Sequence, residues 1–168
     1  ILGEATVTRL SDEHFYLLSA ARAELRDLDH LVQQVQSGEQ VGVRTTTEER
    51  GVIVLAGPKA RDVLGGLTEA SLANAEFPWR TAQHIEIAGI PTLALRINYV
   101  GELGWELHPA MADLPALYAA VWAAGEAHGI ADFGLYAMNS LRMEKGYRGW
   151  GAELTNEVTM LEADMARF

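Results

Sequence analysis

Between Gly51 and Gly129 the spacing of apolar residues alternates between strand-like and helix-like periods, and that succession constrains the fold more than any other feature of the chain. Val52–Ala56 is a continuous apolar run, the pattern of a buried strand. Gly57-Pro58 punctuates it; Pro58 suits the first turn of a helix, where a missing N–H costs nothing, and Gly65-Gly66 ends that helix. His84–Ala88 and Thr92–Asn98 flank Gly89-Ile90-Pro91 as a hairpin, and Trp105–His108 is a further strand. Asp113 is placed to cap a helix whose Leu114, Leu117, Tyr118, Val121 and Trp122 share a face, and Gly129 closes it. The order β-α-β-β-β-α predicts a small α+β sandwich of ferredoxin-like kind.

The flanks are less regular. Thr6–Leu10 and Phe15–Leu18 read as two strands of a hairpin joined by Ser11-Asp12-Glu13. Leu25, Leu28, Val32 and Val35 recur at helical spacing over about residues 20–36, and Ser37-Gly38 stops that helix. Residues 45–50 are polar and read as a connector. Beyond Gly129, Asp132 is a candidate cap for a short helix marked by Leu135, Met138 and Leu141, ending near Lys145-Gly146. Residues 147–168 are irregular.

Composition narrows the function. The 168 residues are 49% apolar and carry no cysteine, which excludes a disulfide framework, a zinc ribbon, iron–sulfur ligation and a thiol nucleophile. A net charge of −10 argues against nucleic acid or an anionic membrane as partner, since phosphate binding needs clustered Lys and Arg. The five histidines have no ligand spacing, so no metal site is expected. No G-x-G-x-x-G follows a strand, so no dinucleotide site is expected in these residues. Ile1-Leu2-Gly3 lacks a basic n-region, and a strand so close to Ile1 suggests a piece of a longer chain. The expected location is cytoplasm or an organelle matrix.

Three segments carry chemistry. In Tyr99-Val100-Gly101-Glu102-Leu103-Gly104-Trp105-Glu106, the two glycines permit positive φ or close backbone approach to a ligand. Strand alternation sends Trp105 and Glu106 to opposite faces. Two readings of Glu106 stand: a solvated acid on a hairpin, or a carboxylate accepting two hydrogen bonds from a planar amidine-like edge, such as that of a pterin, with Tyr99 along the ring. In the segment from Asn139 to Gly151, Arg142, Lys145 and Arg148 are either a helix end followed by a glycine-rich loop, or three cations facing a carboxylate-bearing tail. Glu4, just before the first strand, has no signal of its own.

Together, Thr6-Val7-Thr8-Arg9-Leu10, Tyr99-Val100-Gly101-Glu102-x-Gly104-x-Glu106-Leu107 and Ser140-Leu141-Arg142-x-Glu144-Lys145-Gly146-Tyr147-Arg148 resemble the folate-binding aminomethyltransferase family, of which the T-protein of the glycine cleavage system is the best-known member. The tail Trp150-Gly151-Ala152-Glu153-Leu154-Thr155-Asn156-Glu157-Val158-Thr159 is similar to the C-terminal tetrahydrofolate domain of dimethylglycine and sarcosine dehydrogenases. The resemblance spans essentially all 168 residues.

The family is a cloverleaf of three domains around a folate site. The resemblance therefore implies that 1–47 and 133–168 are part of the first folate-binding domain and that 48–132 is the ferredoxin-like second, with the C-terminal barrel and any FAD domain absent from these residues. It implies that tetrahydrofolate captures the iminium or formaldehyde unit from an N-methylated amine as 5,10-methylenetetrahydrofolate, with FAD held elsewhere in a longer chain. Tyr99 and Glu106 fall on the family's pterin-binding tyrosine and glutamate, and Arg142 is a further folate-binding candidate. Glu4 falls where the family has a catalytic aspartate. It is one methylene longer, and a shift of ~1 Å in a catalytic group can cost ~100-fold. Met138-Asn139 stands where glycine-cleavage members carry Arg-Asp, which favours the dehydrogenase branch. The alternatives are a stand-alone folate-dependent aminomethyltransferase or demethylase, and a non-catalytic folate-binding or structural domain. The iron–sulfur assembly relatives carry a cysteine after the Lys-Gly of their motif, and Lys145-Gly146-Tyr147 has none.

Overall fold

A computed structural model describes residues 1–165 and shows two compact units. One comprises Ile1–Thr45 with the described residues from Arg148 on; the other is Thr46–Tyr147. Both mix helices with antiparallel strands, so the chain is α+β.

The Thr46–Tyr147 unit holds strand β3 (Ile53–Ala56), helix α2 (Ala60–Gly65), strands β4 (Ala82–Ile87), β5 (Ile90–Leu95) and β6 (Gly104–Pro109), and helices α3 (Leu114–Gly125) and α4 (Leu135–Glu144). The sheet runs β3-β6-β5-β4 with every neighbour antiparallel. Leu55, Trp105, Leu107, Ala94, Ile85 and Ile87 lie on one face, as the cross-strand register requires. Against that face pack Ala60, Val63 and Leu64 of α2 and Leu117 and Val121 of α3. Trp105 is fully enclosed, with Phe77 edge-on to it at 6.1 Å between ring centroids. Burial of this set, at ~25 cal/mol per Å² of apolar surface, is what stabilises the unit.

Local details correct several expectations. Val52–Ala56 is buried on one face only: β3 is the sheet edge, Leu55 is enclosed, and Val54, on the face without α2 and α3, is exposed. Pro58 lies in the turn before α2, which starts at Ala60. The β4–β5 turn is Ala88-Gly89, both at positive φ, one residue earlier than Gly89-Ile90-Pro91. The two-residue turn closes with Ile87 opposite Ile90, so Pro91 falls on the adjacent pair, where its missing N–H breaks no ladder bond to β4. Asp113 makes no side-chain cap; the chain enters α3 through a 3₁₀ turn at Met111–Asp113. Tyr118 is not on the buried face but exposed, and its hydroxyl donates to Asp132 at 2.9 Å. Asp132 is thereby occupied, and Gly134 stands at the start of α4.

The other unit has the expected hairpin, β1 (Ala5–Arg9) with β2 (Phe15–Ser19), and helix α1 (Glu24–Gln34). Its apolar faces are not covered as the periodicity predicts. Leu25 is 80% and Val7 60% exposed, and α1 buries no residue. Its buried apolar residues, among those described, are Ala23, Leu154 and Ala163. The Arg22 and Arg26 guanidiniums lie 4.4 and 4.8 Å from the Trp150 ring centroid. No helix among the described residues is long and apolar enough to cross a membrane.

Candidate functional site

The loop from Asn98 to Leu103 joins β5 to β6 and is built by its own polar groups. The Asn98 side chain accepts from the Val100 N–H and donates to the Glu102 carbonyl, closing the loop on itself. Gly101 is required twice: its φ is +72°, and a side chain there would meet the Lys145 side chain. At Gly104 a Cβ would run into the carbonyl of Leu55, so the glycine lets β6 lie close against β3.

Tyr99, half-buried in this loop, stacks on Tyr147 with 6.4 Å between centroids and 27° between planes. Arg142 fixes Tyr147. Its side chain is buried within α4, donates to the Tyr147 carbonyl at 2.8 Å, and gives two further hydrogen bonds, 2.9 and 2.6 Å, to Asn139 Oδ1. Lys145 also ties α4 to the loop, 3.0 Å from Glu102. These contacts tie α4 to the β5–β6 loop within Thr46–Tyr147. Arg142 and Lys145 lie in this unit; Arg148, assigned to the other, pairs with Asp164 at 3.7 Å.

Glu106 stands on β6 with Val54 of β3 and Leu95 of β5 as its cross-strand neighbours. Trp105 points the opposite way into the core, as alternation requires. The Glu106 carboxylate is 20% exposed, and its Oε2 lies 3.6 Å from Nε2 of the fully enclosed His108. A half-shielded carboxylate on an apolar sheet face suits bidentate recognition, because shielding strengthens a charge-assisted hydrogen bond. Glu4, in the other unit, is exposed immediately before β1.

His108 and Arg96 carry no signal in the sequence. Arg96 is buried, donates to the carbonyl of Phe77 and to Asn74 Oδ1, and lies 5.7 Å from the Trp105 ring centroid. Burial, helped by the nearby Arg61 charge, holds its pKa below the usual guanidinium range. It ties the segment around Asn74 and Phe77 to the core under Trp105. Strand alternation puts His108 on the face of Glu106, and the structure adds that His108 is enclosed there. A shallow cleft lined by Gly65, Glu69, Glu86 and Ala88 contains none of the candidate residues. Among the described residues, no three His, Asp or Glu gather to hold a metal ion.

This geometry can be set beside known proteins. The family model described as the GCVT N-terminal domain matches residues 1–168. The chain belongs to that aminomethyltransferase family. It is 40% identical to human mitochondrial dimethylglycine dehydrogenase over 169 residues, covering 100% of the chain and 20% of that protein. It is 34% identical to human mitochondrial sarcosine dehydrogenase, covering 97% of the chain and 19% of that protein. An aminomethyltransferase from Listeria welshimeri is 33% identical, covering 91% of the chain and 40% of that protein. Among solved structures, the heterotetrameric sarcosine oxidase of Corynebacterium sp. U-96 superimposes with a TM-score of 0.64 at 25% identity, over 79% of this chain and 65% of that one. The GCVT chain spans about a fifth of the two dehydrogenases.

Proposed function

We propose that this chain is the tetrahydrofolate-binding, one-carbon-transfer part of an N-methylglycine-type demethylating flavoenzyme. The observation that carries the reading is Glu106, partly exposed on the face of β6 opposite the enclosed Trp105. The greater identity to the two dehydrogenases than to the aminomethyltransferase favours this branch over a stand-alone transferase.

The residues present fit a reduced pterin. Glu106 accepts two N–H groups of its amidine edge. Tyr99, braced from behind by Tyr147, offers an aromatic face along the ring. Arg142 keeps Tyr147 in place and so orients Tyr99. When bound, tetrahydrofolate supplies the secondary amine nitrogens that take up the methylene carbon of an iminium, releasing the demethylated amine with the protons those nitrogens lose. Glu4 takes the role of the carboxylate that receives a proton from the attacking nitrogen and offsets developing positive charge. The partial first domain comprises the hairpin unit and the return segment. FAD and the amine-binding surface belong to the remainder of a longer chain, located in the cytoplasm or an organelle matrix.

In the full-length protein turning over sarcosine or dimethylglycine, added tetrahydrofolate is expected to replace free formaldehyde by 5,10-methylenetetrahydrofolate. Glu4→Gln is expected to leave folate affinity nearly intact and to slow capture about 10²-fold. Formaldehyde released in full whether or not folate is present contradicts the reading. Unchanged capture in Glu4→Gln removes Glu4 from the chemistry.

A further inference from the structure

Glu106 and His108 are two residues apart on β6, so the pleat puts both on the face opposite Trp105 and Leu107. The register places Leu95 of β5 beside Glu106 and Leu93 beside His108, and both leucines are buried. The carboxylate therefore has two different sides. One meets solvent; on the other, Oε2 faces the enclosed imidazole at 3.6 Å. That distance is too long for a direct hydrogen bond but within range of a charge-assisted contact that tightens when a ligand seats.

A glutamate that must accept two parallel N–H groups needs both oxygens held in the plane of the incoming edge. Its flexible side chain loses rotamer freedom on binding unless something restricts it beforehand. An imidazole fixed by burial does this from behind. Each carboxylate oxygen has two lone-pair directions, so Oε2 can face His108 and still accept from a ligand.

We propose that His108 is a positioning residue that presets the Glu106 carboxylate for a planar amidine-type edge. This rests on the reading of Glu106 as the pterin acceptor. His108 does not touch the ligand; it lowers the ordering cost of the group that does.

The test is calorimetric titration of tetrahydrofolate into the full-length protein as wild type, His108→Leu, His108→Gln, Glu106→Gln and the double variant of His108→Leu with Glu106→Gln. His108→Leu is expected to weaken binding about tenfold, and His108→Gln, which keeps an N–H, to recover most of it. In the Glu106→Gln background the His108 change is expected to cost nothing more, because its route to the ligand is gone. In turnover, KM for folate rises while kcat stays level. Wild-type affinity in His108→Leu, or an equal loss in the Glu106→Gln background, overturns the proposal. Unchanged affinity in Glu106→Gln overturns the pterin reading of Glu106 and this proposal with it. Should the leucine variant fail to fold, the wild-type His108 ring resonances decide: they are expected to shift when folate saturates the protein, and no shift overturns the proposal.

Discussion

The two units are of similar chemistry but are held together in different ways. Thr46–Tyr147 closes a sheet over α2 and α3 and encloses Trp105, Leu107, Leu64 and Leu117. The hairpin unit leaves Val7, Phe15, Leu25 and Val32 exposed, buries only small or isolated apolar residues such as Ala23, Leu154 and Ala163 among those described, and adds two guanidiniums over Trp150. Exposed polar ties each contribute little, whereas enclosed apolar surface adds up. The difference teaches that periodicity alone does not say whether a face finds a partner: α1 and α3 both show it, and only α3 buries residues.

The contrast is most easily broken by truncation. Trp105→Ala is expected to destabilise the chain by about 3–5 kcal/mol, and Val7→Ala by less than about 0.5 kcal/mol. Urea titration followed by circular dichroism reads both, and equal losses would dissolve the distinction. Glycines sharpen it next. At Gly104 the obstacle is β3 backbone, which cannot turn aside, whereas at Gly151 it is the far end of the Arg22 side chain. Gly104→Ala is expected to cost about 2–3 kcal/mol and Gly151→Ala, at positive φ, about 1 kcal/mol, in the same titration. The smallest effect concerns arginines. Arg142→Leu removes three hydrogen bonds of a buried guanidinium and should cost about 1–3 kcal/mol, against under about 1 kcal/mol for Arg22→Leu at its stacked, exposed site. Thermal melts of the two variants order them, and the reverse order would show that Arg142 does not brace Tyr147.

Much of the second unit is legible in the sequence because its signals are local. Alternation separates Trp105 from Glu106, and glycines mark the turns. What is not legible depends on pairing. Val54 reads as interior until β3 is seen to be an edge. The close approach of Gly104 to Leu55 is seen only once β3 and β6 are paired. That the Glu106 carboxylate and the enclosed His108 imidazole lie 3.6 Å apart is seen only in the structure, and so are the hydrogen bonds that Arg142 gives to Asn139 and Tyr147. Tyr99 and Glu106 are legible as candidates because a resemblance supplies the ligand that no spacing specifies.

The central claim is that Glu106 receives the pterin edge of tetrahydrofolate. Isothermal calorimetry of tetrahydrofolate with the full-length protein and with Glu106→Ala tests it most directly. The account predicts clear binding heat for the wild type and a loss of at least about tenfold in affinity for the variant, the cost of removing one charge-assisted, two-pronged contact. Absence of heat in the wild type, or equal affinity in the two proteins, would contradict it.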